Sequence, residues 1–290
     1  MSRQSSTSIF LDTSIQIARR VHSPEIKNAI QSRLKNQSQI ESGLVVRQEF
    51  KRRLLKDAIY LLKQLGERGS FEKTMRHVSD NLPKPWARKS KMCLQMLMTV
   101  DETDEDSDRF DRARLFLRDL IKNGIATSEA GLVKLNRSTG CACALQPITE
   151  GKPFAKYELG SDRCKRMGGT CGIQAFLEQN RENLVRIRDY LASLPAEGPM
   201  GKSQELSRAE RFIDRFLTQP QGIEEENPCL TVGDLLIALE SFNCSIMYTM
   251  NAKESQHLTR SLGQSMLYRP ANSDRPDVEC LASDSQWPQF

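Results

Sequence analysis

The stretch SIFLDTSIQIARR, residues 8–20, passes from a short apolar strand through Asp12 directly into a helix. The apolar residues 9–11 are typical of a strand that is buried in a core. An aspartate at the end of such a strand either caps the following helix or takes part in chemistry. Which of these roles Asp12 has depends on the residues that the rest of the chain places beside it.

Composition bounds the class of protein. The chain has 290 residues, of which 38% are hydrophobic and 27% are charged, and this balance favours a helix-rich protein with one large domain or two small ones. No apolar run approaches the roughly 18 residues that a membrane-spanning helix needs. Residues 1–10 lack the basic and apolar parts of a signal peptide. We therefore expect a cytoplasmic protein with no membrane partner. Its net charge of +5 suits a nucleic acid partner without demanding one.

Hydrophobic periodicity predicts a helical middle between two strand-bearing ends. Apolar residues three and four apart predict one long amphipathic helix over residues 39–66, closed by glycines. Near the other end, residues 232–243 predict a helix and residues 244–250 a strand. Strands at both ends predict an α/β fold, with a sheet formed from both ends of the chain and a large, mostly helical insertion. The expected division is a core of residues 8–66 and 207–268, an insertion of residues 67–206, and an irregular tail of residues 269–290.

Three acidic residues occupy matching places in this pattern. Asp12 ends the first strand, Glu49 lies on the early helix in VVRQEFKRRLL (residues 45–55), and Asp234 lies in the first turn of VGDLLIALESFN (residues 232–243). The strand that follows ends at Thr249, two residues before Asn251. This ordered combination, with IFLDTS at residues 9–14, resembles the PIN-domain family of metal-dependent nucleases.

The resemblance implies a PIN-like parallel sheet flanked by helices, with a metal site at its carboxyl edge. Asp12, Glu49 and Asp234 would be the catalytic residues and the ligands of Mg²⁺ or Mn²⁺, which prefer carboxylate oxygens. Glu254 is the nearest carboxylate for a fourth acidic position. Four residues would support the ligands or the attacking water by hydrogen bonds: Thr13, Ser14, Thr249 and Asn251.

Each acidic residue also has an ordinary structural explanation. Asp12 and Asp234 are at positions that cap helices, and Glu49 can pair with Arg53 one helical turn later. The ordered combination favours the metal site over three independent coincidences. The alternative function is a non-catalytic scaffold with a degenerate PIN-like fold that binds nucleic acid or protein.

The resemblance further implies a hydrolase, an endonuclease whose substrate is RNA or another single-stranded nucleic acid, with a role as a toxin or defence effector. An inhibitory or regulatory protein partner and a homo-oligomer remain open alternatives. Basic residues beside Glu49 and around an aromatic residue suit phosphate and base contacts. The predicted nucleic-acid-binding residues are Arg47, Arg52, Arg53, Trp86, Arg88 and Lys89.

Cysteines cluster in the one stretch that lacks helical periodicity. Four of them lie within residues 141–171: Cys141, Cys143, Cys164 and Cys171. Thiolates among glycine-rich turns suit a tetrahedral structural Zn²⁺, although the spacing is not the usual pair of C-x₂-C motifs. Ordinary half-buried thiols are an equally good interpretation, and an iron–sulfur cluster is a third. The cysteines outside this stretch, including Cys229, are interpreted as core packing.

Overall fold

A mostly parallel sheet of six strands forms the centre of the protein. The computed structural model describes residues 8–80, 87–100, 105–151, 156–159, 171–195, 202–221, 227–271 and 278–283. The strands of the sheet are β1 Ser8–Leu11, β2 Gln39–Gly43, β3 Lys134–Asn136, β6 Ile246–Thr249, β7 Ser265–Tyr268 and β8 Cys280–Ala282. A separate antiparallel hairpin consists of β4 Ile148–Gly151 and β5 Lys156–Leu159. The order in the sheet is β3-β2-β1-β6-β7-β8, and all neighbours are parallel except β7 and β8.

Helices surround this sheet and make up the insertion. In chain order they are α1 Thr13–Val21, α2 Pro24–Lys35, α3 Leu44–Phe50, α4 Lys56–Arg68, α5 Phe71–Asp80, α6 Ala87–Leu97, α7 Asp106–Glu129, α8 Ala142–Leu145, α9 Ile173–Gln179, α10 Arg181–Ser193, α11 Gln204–Thr218, α12 Pro228–Thr231, α13 Gly233–Ser241 and α14 Ala252–Ser261. A π-helical segment, Lys51–Leu55, joins α3 to α4. The predicted α/β class, with a mostly parallel sheet flanked by helices, is confirmed.

The central strand β1 is buried on both faces. The alternation of side chains turns Phe10 toward one face, where it packs with Leu236 of α13. Ile9 and Leu11 face the opposite side and pack with Ile30 of α2. Because helices cover both faces, every residue of this strand has to be compatible with burial, which explains the continuous apolar run in the sequence.

A second apolar cluster joins α4 to α5, α6 and α7 of the insertion around Leu61, Met96 and Leu117. Ile17 of α1 and Phe50 of α3 belong to the same cluster. The insertion therefore packs directly against the elements that carry the acidic residues. Among the described residues, no helix is both long and apolar enough to cross a bilayer.

The predicted long helix over residues 39–66 is wrong at its start. Residues 39–43 form β2, whose backbone pairs with β1 on one side and with β3 on the other. Only Ile40 is a large apolar residue there, so the strand owes its existence to long-range pairing rather than to a strand-like sequence pattern. Gly43 then ends the strand, and α3 begins at Leu44.

Two strands of the sheet lie outside the predicted core of residues 8–66 and 207–268. β3 belongs to the predicted insertion, and β8 belongs to the predicted irregular tail. β8 is held by the buried carboxylate of Glu279, which accepts hydrogen bonds from Tyr248 and Arg269 and is 2.6 Å from the Nε of Arg33. β8 has only three residues, CLA, which are too few to show hydrophobic periodicity, so the pattern in the sequence did not reveal it.

Candidate functional site

Asp12 lies at the carboxyl edge of the sheet and is held by three hydrogen-bond donors. Its backbone N–H donates to the carbonyl of Tyr248, so the residue continues the pairing of β1 with β6. Its Oδ1 accepts from the Thr13 N–H at 2.6 Å, and its Oδ2 accepts from the hydroxyls of Ser14 and Thr249, both at 2.7 Å. The side chain is buried. Asp12 therefore caps α1, and it also has a fixed orientation at the sheet edge.

Glu49 on α3 lies beside the same edge. Its Oε2 accepts a hydrogen bond of 2.6 Å from the hydroxyl of Thr13, and its Oε1 forms an ion pair with Arg53. Thr13 thus connects Glu49 to Asp12, because its backbone bonds to one carboxylate and its hydroxyl to the other. The ion pair expected as the ordinary explanation of Glu49 is present, but it is not a surface pair, because Glu49 is only 5% exposed.

Asp234 and Glu254 complete a group of four carboxylates. Asp234 is partly buried in the first turn of α13, and Glu254 is buried in the first turn of α14. Burial, followed by the negative charges of Glu49 and Asp12, raises the pKa of the Asp234 carboxyl from 3.8 to about 7. Arg53 opposes this rise, whereas Glu254 adds to it. Asp234 is therefore repelled by the three other carboxylates, and the attraction of Arg53 does not cancel this repulsion.

The segment after β6 closes the site through backbone contacts. The Met250 N–H donates to the Ser14 hydroxyl, and the Asn251 N–H donates to the Thr249 hydroxyl, both at 2.9 Å. Asn251 precedes α14, and its side chain makes no capping bond to that helix. Residues 249–251 therefore position the hydroxyls that hold Asp12.

The donor set fits a hard divalent cation. Carboxylate oxygens are the ligands that Mg²⁺ and Mn²⁺ prefer, and a bound cation would relieve the repulsion that raises the pKa of Asp234. Within the described ranges, no three His, Cys, Asp or Glu side chains are already arranged around a common ion position. The carboxylates are thus close enough to influence each other's charge, but a cation would have to draw them closer.

A cleft of about 530 Å³ opens at these carboxylates. Four acidic residues line it: Glu49, Glu205, Asp234 and Glu254. Basic residues from three separate parts of the chain line it as well: Arg52, Arg53, Lys56, Arg88 and Arg208. A cleft with carboxylates beside cations offers separate places for a metal ion and for phosphate groups.

Comparisons of the chain with protein-family models, with curated proteins and with solved structures found no significant match. What the cleft does is therefore inferred from its own carboxylates and cations.

The predicted nucleic-acid-binding residues have different locations. Arg52, Arg53 and Arg88 line the cleft. Arg47 instead pairs with Glu129 of α7 at 3.0 Å. The Nζ of Lys89 lies 3.3 Å from the centre of the Tyr60 ring, a cation–π contact outside the cleft lining. Trp86 lies outside the described residues.

Three of the four predicted zinc ligands lie near one another, and Cys164 lies outside the described residues. Cys141 forms hydrogen bonds with Cys143 and with Cys229, and these bonds lower the pKa of its thiol to about 4. Cys171 is close enough to raise the same pKa. Cys229, which was interpreted as a core residue of no special role, therefore belongs to this thiol cluster.

Glu240 is a buried carboxyl that the sequence interpretation missed. It is fully buried on α13 and accepts hydrogen bonds from the Val45 N–H at 3.2 Å and the Thr139 hydroxyl at 2.8 Å. Burial raises its pKa to about 8. The contact fixes the start of α3, which carries Glu49, against α13, which carries Asp234. Its only signal in the sequence is a charged residue inside the apolar run LLIALESF, residues 235–242.

Arg208 is the other missed residue. It lies on α11, whose apolar stripe predicts a core helix and does not indicate which face borders a cleft. α11 packs against α10, and this tertiary arrangement brings the exposed guanidinium of Arg208 into the same cleft lining as residues of α13 and α14.

Proposed function

We propose that the protein is a metal-dependent phosphodiesterase, an endoribonuclease that cleaves single-stranded RNA in the acidic cleft. The observation that carries the proposal is a group of carboxylates at one sheet edge: Thr13 bonds to both Asp12 and Glu49, and Glu49, Asp234 and Glu254 line one cleft. Repelling carboxylates at the carboxyl edge of a parallel sheet are costly unless a ligand compensates them. A divalent cation is the simplest such ligand.

The residues that would hold Mg²⁺ or Mn²⁺ are Asp12, Glu49, Asp234 and Glu254. When bound, the ion would supply the activation of a water molecule and the stabilisation of charge on the leaving oxygen. Each carboxylate comes from a different element, so the donor set exists only in the folded chain.

The chain's own hydrogen bonds prepare two of these carboxylates. The hydroxyls of Ser14 and Thr249 fix the Oδ2 of Asp12, and Thr13 fixes both Asp12 and Glu49. Side chains that are oriented before the substrate arrives do not have to be ordered during the reaction. Burial and the facing carboxylates raise the pKa of Asp234 to about 7, so a bound cation would favour the ionised form of this carboxyl.

The basic residues of the cleft would bind the substrate backbone. Arg88 of α6 and Arg208 of α11 are far apart in the sequence and line the same cleft. Guanidinium groups bind phosphate through paired hydrogen bonds and tolerate any base sequence. The choice of single-stranded RNA over DNA comes from the resemblance to PIN-domain nucleases.

Cleavage of matched RNA and DNA tests the proposal. Labelled single-stranded oligonucleotides of the same sequence would be incubated with purified protein in Mn²⁺, Mg²⁺ or EDTA. We expect metal-dependent cleavage of RNA that is lost in the Asp12→Asn/Asp234→Asn variant and retained in the Asp214→Asn variant, since Asp214 is an exposed residue of α11. Cleavage that persists in EDTA or in the double variant would contradict the proposal.

The second candidate is a non-catalytic scaffold that binds nucleic acid with the same cleft. The observation that favours it is the ion pair of Glu49 with Arg53, which already satisfies one of the carboxylates. A scaffold would bind RNA without cutting it, and its affinity for Mn²⁺ would be the same with or without the double substitution. Electrophoretic mobility shift of RNA alongside the cleavage assay distinguishes the two.

A further inference from the structure

Four cysteines from three separate segments meet beside the cleft. Cys141 and Cys143 flank the start of α8, Cys171 lies shortly before α9, and Cys229 lies in α12. The Sγ atoms of Cys141 and Cys229 are 3.8 Å apart although 88 positions separate them in the chain. Cys143 is hydrogen-bonded to Cys141, and Cys171 interacts with it electrostatically. None of the four is in a disulfide.

A close backbone contact brings two of these segments together. The Gly172 N–H donates to the carbonyl of Gly140 at 3.0 Å. A Cβ on Gly140 would lie 2.9 Å from the Cα of Gly172, and Gly140 has a φ of 54°. Only glycine tolerates both conditions. The contact brings together the two segments that carry Cys141 and Cys171, the neighbours of these glycines in the sequence.

The distance between the two sulfurs matches shared ligation of a zinc ion. Zinc–thiolate bonds of about 2.3 Å at the tetrahedral angle place two sulfurs about 3.8 Å apart. A disulfide requires about 2.05 Å. The Cys141–Cys229 separation of 3.8 Å therefore equals the edge of a zinc–thiolate tetrahedron.

Two basic side chains, those of Lys51 and Arg52, lie next to the thiols. Lys51 is 2% exposed, and its ammonium donates to the carbonyls of Cys143 and Gln146 at 2.9 and 2.7 Å. No carboxylate of the described residues pairs with it. Arg52 donates to the Cys229 carbonyl at 3.1 Å, while its Nε and Nη1 are buried without hydrogen-bond partners. A buried cation without a counter-charge is strongly disfavoured, and this applies to Lys51, whereas the partly buried Arg52 also interacts with the negative charge of Glu49.

We propose that four thiolates bind one structural Zn²⁺ beside the cleft, those of Cys141, Cys143, Cys171 and Cys229. The thiols lose their protons to solvent on binding, and the resulting centre has a net charge of −2, which Lys51 and Arg52 balance. Because the thiols are not yet grouped around one point, binding turns their side chains inward. Cys229, five residues before Asp234, takes the place that the sequence had assigned to Cys164.

The zinc ion would connect the insertion to the acidic site. α8 and the segment before α9 belong to the insertion, whereas α12 leads directly into α13. The ion would therefore anchor the segment that carries Asp234, without contacting substrate. This role is independent of RNA cleavage, so the inference stands or falls separately from the proposed nuclease function.

Metal analysis of the full-length protein tests the inference. Protein purified under reducing conditions and dialysed against a weak chelator would be assayed for zinc by mass spectrometry. We expect equimolar zinc in wild type, background zinc in Cys229→Ser, and unchanged zinc in Cys164→Ser and in the control Cys93→Ser. Zinc that is lost in Cys164→Ser but kept in Cys229→Ser would overturn the ligand assignment. Iron with sulfide, or no metal in the wild type, would overturn the zinc site itself.

A second measurement guards against misfolded variants, because it uses the wild-type chain alone. Zinc would be exchanged for Co²⁺, whose absorption reports its ligands. Intense thiolate-to-cobalt charge-transfer bands together with strong tetrahedral d–d bands are expected. The weak spectrum of octahedral Co²⁺ would contradict a four-thiolate site.

Discussion

Replacing Asp234 with asparagine should stabilise the protein when no metal ion is bound. The folded carboxyl keeps its proton up to about pH 7, whereas the unfolded one loses it near pH 3.8. Stability from this group is therefore complete below pH 3.8 and is lost as the pH rises to about 7. At about 1.4 kcal/mol per pKa unit, the raised pKa of this carboxyl disfavours folding by up to about 4 kcal/mol at pH 8 and about 2 kcal/mol at pH 5. The gain in the free energy of unfolding from Asp234→Asn should thus be about 2–3 kcal/mol larger at pH 8 than at pH 5.

Urea unfolding in EDTA at the two pH values measures this difference. The same unfolding experiment with added Mn²⁺ then measures how much the ion stabilises each protein. Mn²⁺ at a hundred times its dissociation constant should stabilise wild type by about 2.7 kcal/mol and stabilise Asp234→Asn much less. Asp214→Asn is the matched control and should change neither quantity. A variant that is less stable than wild type at pH 8 in EDTA, or that gains as much from Mn²⁺, would refute the reasoning about repelling carboxylates.

Three further predictions concern the surroundings of the site. Burial raises the pKa of Glu240 from 4.5 to about 8, so wild-type stability should fall by up to about 1.4 kcal/mol per pH unit as the pH rises toward 8. In urea titrations between pH 7 and 8, Glu240→Gln should make this decrease smaller. An unchanged decrease would contradict the raised pKa of Glu240. In Gly43→Ala the new Cβ would lie 1.9 Å from the Oε2 of Glu240. Thermal unfolding should therefore show that the free energy of unfolding falls by about 1–3 kcal/mol. A variant as stable as wild type would contradict this close contact. Arg208→Gln should weaken RNA binding and reduce the salt dependence by about one phosphate contact. In the same fluorescence anisotropy titration, Arg47→Gln should change neither the affinity for RNA nor its salt dependence. Equal effects of the two variants would contradict the placement of Arg208, and not Arg47, at the RNA-binding cleft.

The sequence predicted the fold class and the acidic positions because both depend on local order along the chain. A strand that ends in an aspartate, and a helix that begins with one, are visible without knowing the neighbours of either. Asp12 and Asp234 were identified in this way. Their proximity followed only from the expectation that parallel strands bring their carboxyl ends to one edge.

What the sequence missed depends on long-range contacts. β2 contains a single large apolar residue, so its pairing with β1 decided its conformation. Glu240 appeared to be an ordinary helix residue until Gly43 and α3 enclosed it. Cys229 is far from Cys141 in the chain, and a search for closely spaced cysteines could not join them. In each case the information lies in contacts between distant segments, which periodicity does not contain.

Mn²⁺ binding to the acidic cleft is the measurement that tests the central claim most directly. Titration of purified protein with Mn²⁺, followed by electron paramagnetic resonance of the free ion, would compare wild type, Asp12→Asn/Asp234→Asn and Asp214→Asn at pH 8. The account predicts binding by wild type and by the exposed control variant, and loss of that binding in the double variant. Equal Mn²⁺ binding by all three proteins would contradict the claim that these carboxylates form the metal site of a nuclease.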